Sequence, residues 1–201
     1  MPDLLVLERG LWARGLERVA GVDEAGRGAL FGPVVAAAVI LDPLRDLSGY
    51  RDSKTLSESA RERLFERLRS EGHSFSVAEV TAAEIDGTDI LRSTLKAMAM
   101  AVRGLPSPPG FVLVDGPILP ELPSNIEAVV HGDAISASIA AASIAAKVHR
   151  DRLMRALDRE YPGYGLAQHK GYGTSGHLEA IRRLGPTPLH RRSFRGVEGM
   201  S

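Results

Sequence analysis

The sequence contains no cysteine among its 201 residues. Disulfide bonds and thiolate zinc sites are therefore excluded, and any bound metal must use oxygen or imidazole ligands, which favours magnesium or manganese. Long apolar runs are also lacking, since neither 34–41 nor the alanine-rich segment 135–148 is long and apolar enough to cross a bilayer. The first eleven residues lack the basic and then apolar pattern of a secretory signal. We therefore expect a cytoplasmic protein with no membrane role.

The chain also lacks net charge, because 25 Lys and Arg residues balance 25 Asp and Glu residues. A neutral chain argues against a phosphate-rich partner, since proteins that bind nucleic acid usually carry a basic surface. The distribution changes this interpretation, because residues 147–195 contain eleven basic and four acidic residues, a net charge of +7. The arginines within 150–159 alternate with acids and fit an ordinary solvated helix face. Lys170, Arg191, Arg192 and Arg195 are less balanced by neighbouring acids.

The composition, 44% hydrophobic and 25% charged, is typical of a globular protein, and we expect one domain over residues 1–201. Short apolar or alternating segments bounded by Gly, Pro, Asp or Asn predict five strands. These strands are expected at 18–23, 33–41, 74–80, 111–115 and 126–130. Helices are expected at 56–70, around 82–85, at 90–102 and at 135–159. This order indicates a mixed sheet covered by helices.

Two features refine the predicted helices. The patterns Thr55-x-x-Glu58 and Thr81-x-x-Glu84 are capping boxes and predict that helices begin after them. The helix at 135–159 is nearly free of large side chains between Ser136 and Ala146, so its backbone can approach a sheet closely. Its serines are interpreted as packing residues that bond locally. They are Ser136, Ser138 and Ser143.

The most informative segment is GVDEAGRG at residues 21–28, where two adjacent carboxylates end an apolar run and precede a flexible cationic turn. Its glycine spacing imitates a nucleotide phosphate loop, but Arg27 and Gly28 stand where that loop requires Lys and then Ser or Thr. Asp23 and Glu24 would repel a phosphate unless a divalent cation lay between them. The segment therefore predicts metal-dependent phosphate chemistry.

Two further acids follow the same local pattern. Asp115 ends the apolar run 111–114, so it is expected at the carboxyl edge of a strand, where open α/β sheets place their sites. Asp133 immediately precedes the long helix, where it either caps that helix or projects into a cleft beside the sheet. Because Asp23 and Glu24 are consecutive, they would point to opposite faces of a regular strand. We therefore expect one of the two to lie on the turn.

Four carboxylates suit the hydrolysis of a phosphodiester by two metal ions, which needs no protein nucleophile. Under this interpretation His169 and His190 are structural residues or phosphate contacts. Tyr172 is either a packing residue or a contact with nucleic acid, and its neighbours Lys170 and Gly171 make the contact plausible.

Six motifs in order carry a family resemblance. They are GVDEAGRG at 21–28, DSKTL at 52–56, VDGP at 114–117, GDAISASIAAASIAAKVHRD at 132–151, HKGYGT at 169–174 and LGPTPLHRRSF at 184–194. With them the chain resembles bacterial ribonuclease HII over nearly its whole length. The resemblance implies an α/β, RNase H-like fold: a five-stranded mixed sheet flanked by helices, with a small C-terminal portion of helix and loop at about 160–201. The related ribonuclease HIII carries an added N-terminal domain, and only about twenty residues precede the first motif here, which favours HII.

The resemblance also implies an activity. Ribonucleases HII are endonucleases that cleave the RNA strand of RNA–DNA hybrids and incise duplex DNA 5′ of single embedded ribonucleotides, leaving 3′-hydroxyl and 5′-phosphate ends. The cofactors implied are two divalent ions, Mg²⁺ or Mn²⁺, and we expect the enzyme to act as a monomer.

The roles that the resemblance gives to residues fall into three groups. The four acids of the metal site, which are also the catalytic residues, are Asp23, Glu24, Asp115 and Asp133. The segment Gly26-Arg27-Gly28 would read the ribose 2′-hydroxyl, mainly through its backbone, because only RNA presents that group. Tyr172 would pack on the neighbouring sugar, and Lys54 and Lys147 would contact phosphates.

Two other functions fit parts of the pattern. One is a metal nuclease of the same fold with another substrate, such as an enzyme that resolves DNA junctions. The other is a nucleic-acid-binding module without catalysis. Four acids that repel phosphates argue against such a module, which would also bind without needing magnesium.

Overall fold

The computed structural model describes residues 3–199. The five strands are β1 (Val19–Ala25), β2 (Val34–Ile40), β3 (Ser74–Val80), β4 (Phe111–Asp115) and β5 (Ile126–Val129). The α-helices of the described residues are α1 (Val6–Trp12), α2 (Glu58–Ser70), α3 (Ala82–Gly87), α4 (Ile90–Arg103), α5 (Ala137–Glu160), α6 (Leu166–His169) and α7 (Ser175–Leu184). Two short 3₁₀ turns, Ser53–Thr55 and Gly132–Ala134, precede α2 and α5.

The strands form one sheet in the order β3-β2-β1-β4-β5. The first three strands are antiparallel neighbours, whereas β4 runs parallel to both β1 and β5. The predicted five-stranded mixed sheet is therefore confirmed, and the predicted strand bounds differ from the observed ones by at most two residues. The parallel arrangement brings the carboxyl ends of β1, β4 and β5 to one edge of the sheet.

The middle of the sheet is built from small residues that let helices pack closely. All seven residues of β2 are buried, including the run Ala36-Ala37-Ala38. One face of the sheet packs against α5 and α2, and the other packs against α4. A Cβ built on Gly21 in β1 would stand 2.0 Å from the carbonyl carbon of Ser138 in α5. The close approach predicted from the alanine-rich sequence of α5 is thus confirmed.

Of the two predicted capping boxes, one is present in the structure. The capping box at Thr81 is confirmed, because its side chain and that of Glu84 satisfy each other's backbone N–H groups. The capping box predicted at Thr55 is wrong: Thr55 ends a 3₁₀ turn, and Ser57 caps α2 by accepting from Ala60 N. The sequence also gave no prediction of α1.

The C-terminal portion packs against the loop that follows β1. Leu30 and Phe31 of this loop share an apolar cluster with Met154, Leu166 and Ile181, from α5, α6 and α7. The loop is therefore held between the sheet and the last helices. Within residues 3–199, no helix has an apolar stretch long enough to cross a membrane.

Candidate active site

The two consecutive acids lie where β1 loses one of its neighbours. Pairing of β1 with β4 ends at Val22, whereas its pairing with β2 continues to Ala25. Beyond Val22 one side of β1 is therefore open, and both Asp23 and Glu24 line a cavity there. The expectation that one of them lies on a turn is wrong, because both belong to the strand and the turn begins at Gly26.

This cavity has a volume of about 280 Å³ and gathers most of the predicted site. Its lining residues are Asp23, Glu24, Ala25, Gly26, Arg27, Gly28, Ser53, Lys54, Arg61, Asp115, Ser143, Lys147 and Tyr172. The only predicted site residue outside this set is Asp133, which is joined to the cavity through Lys54. The sequence did not predict Ser53, Arg61 or Ser143 as site residues.

Asp23 is the most deeply buried acid of the cavity wall, with 5% of its surface exposed. Its Oδ1 accepts from the backbone N of Glu24 at 2.7 Å, and Ser143 also hydrogen-bonds its side chain. Burial raises the pKa of Asp23 well above its usual value, and the charges of Glu24 and Asp115 raise it further. Ser143, whose Oγ lies 2.9 Å from Ser53 Oγ, was interpreted as a packing residue but touches the central acid.

Glu24 shares this electrostatic environment. Burial raises its pKa, the charge of Arg27 lowers it, and the charge of Asp115 raises it. The Arg27 guanidinium lies 3.8 Å from Glu24 Oε1 and is half exposed, so it compensates the carboxylates only in part. Three carboxylates that repel one another in a small cavity would be stabilised by a bound cation.

Asp115 and Asp133 are connected through the backbone. Asp115 Oδ1 accepts from Gly132 N at 2.7 Å, which ties the end of β4 to the turn that carries Asp133. Asp133 is buried, and its Oδ2 accepts from Lys54 Nζ at 2.7 Å. The capping interpretation of Asp133 is wrong, because Ser136 caps α5 by accepting from Ile139 N.

The four acids do not form a complete metal site in this conformation. Across residues 3–199, no three carboxylate or imidazole side chains are arranged to hold an ion between them. The carboxylate oxygens are nevertheless the ligands that hard divalent cations prefer. Burial raises the pKa of Asp23, and the charges of Glu24 and Asp115 raise it further, so a bound cation would stabilise its ionised form. The donor set therefore fits Mg²⁺ or Mn²⁺, with Asp133 neutralised by Lys54 in this conformation.

Two buried arginines hold the loop that follows the acids. Arg150 and Arg191 are both 0% exposed, and their side-chain hydrogen bonds within the described residues go to backbone carbonyls. Arg150 donates to the carbonyls of Phe31, Pro33 and Lys170, and Arg191 donates to those of Arg27 and Gly32. Burial lowers the pKa of both arginines, that of Arg191 to about 9.

This arrangement corrects the interpretation of 150–159 as a solvated face. Arg152 and Arg155 do pair with glutamates of α2, but Arg150 points into the protein. Because the two buried guanidiniums bind four carbonyls of this loop, they fix its conformation from its inner side. The sequence alone gave no sign of this function.

Tyr172 lies beside the glycine-rich loop, and its side chain is 37% exposed. A backbone bridge joins it to Ala29, and Leu30 N donates to Gly171 O at 2.8 Å. Lys147 Nζ and Arg150 Cζ lie 5.9 and 5.5 Å from the centre of the Tyr172 ring. Lys147 Nζ also lies 2.7 Å from Asp151 Oδ1. The ring is therefore held at the cavity wall by the loop and by cations.

The two histidines of the sequence analysis lie behind this wall. His169 Nε2 lies 2.7 Å from Tyr164 O, and its ring stacks on that of His177. His190 is 1% exposed, and its ring nitrogens lie near Thr187 and the Nε2 atom of His177. A side chain as buried as His190 cannot reach a phosphate, so the structural interpretation is confirmed for this residue.

Comparisons with known proteins agree with one another. A family model described as Ribonuclease HII matches residues 20–197. The chain is 52% identical over 195 residues to Ribonuclease HII of Desulfitobacterium hafniense (strain Y51), covering 97% of this chain and 75% of that protein. Among solved structures it resembles the ribonuclease H2 from Pyrococcus horikoshii OT3, with 30% identity, a TM-score of 0.73 and coverage of 90% and 95% of the two chains. It shares its fold with Bst-RNase HIII in complex with Mn²⁺, at 22% identity, a TM-score of 0.75 and coverage of 93% and 70%.

Proposed function

The chain belongs to the ribonuclease HII family, whose members hydrolyse the RNA strand of RNA–DNA hybrids, and we propose that it also incises duplex DNA 5′ of a single embedded ribonucleotide. The products would carry 3′-hydroxyl and 5′-phosphate ends. One observation carries this proposal: three acids and the Gly26-Arg27-Gly28 segment line the same small cavity. A scissile phosphate and the adjacent ribose could therefore be recognised together.

The acids would hold the cofactor, which we propose to be two Mg²⁺ or Mn²⁺ ions. Asp23, Glu24 and Asp115 line the cavity, and Asp133 joins them when its bond to Lys54 is released. Bound divalent ions would supply an activated water and would neutralise charge on the phosphate and on the departing 3′-oxygen. The Mn²⁺ complex of Bst-RNase HIII, a protein of the same fold, is compatible with this proposal.

The glycine-rich loop would select RNA. Gly28 has open space around the position of a Cβ, so its backbone is accessible from the cavity. The carbonyls of Arg27 and Gly32 accept from Arg191, which holds the loop in one conformation before any substrate binds. The backbone groups of Gly28, on a loop held in this way, would be satisfied by a 2′-hydroxyl, which both donates and accepts, and would be left unsatisfied by deoxyribose.

The cations and the aromatic ring would place the rest of the substrate. Lys54, whose side chain is largely exposed, and Lys147 are close enough to the acids to contact phosphates that flank the cleaved bond. Tyr172 offers the exposed part of its ring to the neighbouring sugar. We further propose that the whole chain acts as one catalytic domain and as a monomer, which light scattering on the purified protein can test.

A cleavage assay on three duplexes tests the proposed function. The substrates are an all-DNA duplex, the same duplex with one ribonucleotide, and an RNA–DNA hybrid, each titrated with Mg²⁺ and with Mn²⁺. We expect no cleavage of the first, cleavage 5′ of the ribonucleotide in the second, and multiple cuts in the third. Cleavage of branched all-DNA substrates would favour a junction nuclease, and binding without cleavage under every divalent ion would favour a non-catalytic module.

A further inference from the structure

A fully buried carboxylate connects the N-terminal helix to the long helix that follows Asp133. Glu8 of α1 is 0% exposed. Its Oε1 accepts from Ser136 Oγ at 2.6 Å, from Ser138 Oγ at 2.6 Å and from Ser138 N at 3.0 Å. Its other oxygen, Oε2, is buried and finds no hydrogen-bond partner among the residues described. Burial of a carboxylate is costly unless its surroundings compensate the charge.

The compensation comes from the N-terminus of α5. The first backbone N–H groups of a helix have no partner inside the helix, and the helix dipole favours negative charge there. Here the N-terminal segment supplies an acceptor and a negative charge: Leu4 O, just before α1, accepts from Ala137 N at 2.8 Å, and Glu8 of α1 accepts from Ser138 N. Leu4 and α1 together therefore hold the first turn of α5 through two adjacent backbone N–H groups.

This first turn is joined directly to two acids of the site. Ser136 N donates to Gly132 O at 2.8 Å, and Gly132 N donates to Asp115 Oδ1 at 2.7 Å. Asp133 lies within the turn that the first of these bonds closes, and the second bond joins that turn to Asp115. Glu8 is therefore connected to the turn that carries Asp133 by a short series of hydrogen bonds, which runs through Ser136 and Gly132.

The same turn also fixes α5 against the strand that carries Asp23. Ser138, which Glu8 holds, forms the close contact with Gly21, two residues before Asp23 in β1. A shift of this turn would therefore move Asp133 relative to Asp23 and Asp115.

We propose that Glu8 is a positioning residue, which sets the distance of Asp133 from Asp23 and Asp115 by fixing the first turn of α5. The inference rests on the proposed metal site. It does not require Glu8 to touch the substrate or the metal. Groups that orient metal ligands in this way typically change metal affinity by about 10–100-fold when they are removed.

The test compares Mn²⁺ binding by Glu8→Ala, Glu8→Gln and the wild-type full chain. Free Mn²⁺ is followed by electron paramagnetic resonance without substrate, and the melting temperature is measured without metal. Asp3→Asn is the matched control, because Asp3 is an exposed acid that pairs with Arg9, which lies in α1 beside Glu8. We expect a roughly tenfold weaker Mn²⁺ affinity for Glu8→Ala, a smaller loss for Glu8→Gln, which keeps an acceptor oxygen, and unchanged affinity for Asp3→Asn.

The outcomes separate this inference from the proposed function. If Glu8→Ala melts at a lower temperature but binds Mn²⁺ as the wild type does, Glu8 is only a structural residue and the inference is overturned. If Glu8→Ala does not fold, Glu8→Gln decides in the same way. If the wild type itself neither binds Mn²⁺ nor cleaves, the proposed metal site fails, and the inference fails with it.

Discussion

Arg150 packs directly against Gly26: a Cβ built on Gly26 would stand 1.9 Å from Arg150 Nε. Gly26 also has a φ of +85°, a conformation that side chains disfavour. We predict that Gly26→Ala displaces the Arg150 guanidinium, distorts the loop and lowers cleavage of a single-ribonucleotide duplex by about 10²-fold. Gly28→Ala serves as the control for stability, because nothing lies within 4 Å of its Cβ position. Equal melting temperatures for the two variants, with activity retained in Gly26→Ala, would contradict this prediction.

Asp23→Asn separates catalysis from stability. We expect the variant to lose detectable cleavage, because the proposed metal site loses its central charge. We also expect its metal-free form to melt at a higher temperature than the wild type. The reason is that burial and the charges of Glu24 and Asp115 raise the pKa of Asp23, so the ionised side chain destabilises the fold at neutral pH. Calorimetry with excess chelator measures the shift, and a lower melting temperature would contradict the electrostatic argument.

Arg191→Lys tests whether the loop must be held by a planar guanidinium. Arg191 donates through Nε and Nη1 to two carbonyls, those of Gly32 and Arg27, and a single ammonium cannot reproduce that geometry. We predict a fall of about 10²-fold in kcat/KM for a single-ribonucleotide duplex, with the far-ultraviolet circular dichroism spectrum unchanged. The matched control is Arg195→Lys, which alters an exposed arginine nearby. Equal kinetics for the two variants would show that the loop does not need Arg191.

The acids at the sheet edge could be predicted from the sequence, whereas the role of the two buried arginines could not. An acid at the end of an apolar run can be recognised in the sequence, so Asp23 and Asp115 were placed correctly at the sheet edge. Arg150 and Arg191 bind backbone carbonyls, which every residue has, and four of these bonds span 117 to 164 positions of the chain. No local pattern reveals such partners.

The N-terminal helix was missed because its partners, too, are distant in the sequence. Glu8 bonds to serines 128 and 130 positions away, so only the folded chain reveals why an acid can be buried there. The error at Thr55 has a local cause, because Thr55 and Ser57 can both cap a helix and the sequence does not choose between them. In the folded chain Ser57 caps α2, because the segment 52–54 forms a turn that brings Lys54 to Asp133.

Tyr172→Ala should mainly reduce cleavage at an isolated ribonucleotide. The ring is partly exposed at the cavity wall and is supported from behind by Arg150. Stacking of an aromatic side chain contributes about 1–3 kcal/mol in single-stranded nucleic-acid complexes, which predicts a loss of about 5–150-fold in kcat/KM. Tyr172→Phe keeps the ring and should retain most activity. Unchanged activity of Tyr172→Ala on this substrate would exclude a contact with the sugar.

The pair His177 and His190 predicts how stability depends on pH. His190 Nδ1 lies 2.9 Å from Thr187 N, which donates to it, and His177 Nδ1 lies 3.0 Å from Tyr172 O, to which it donates. The proton between the two Nε2 atoms, 3.3 Å apart, therefore belongs to His190. This chain of donors is complete only when both rings are neutral.

Protonation of either ring would break this chain inside the protein. Burial lowers the pKa of each histidine to about 4, against about 6.5 for an unfolded histidine. The unfolded state therefore binds more protons between these values, so the stability that the pair contributes is complete above about pH 6.5 and is lost as the pH falls to about 4. Melting temperatures measured from pH 7 to pH 4 should fall less steeply for His190→Asn than for the wild type. Identical slopes would mean that the pair does not contribute to the acid sensitivity of the fold.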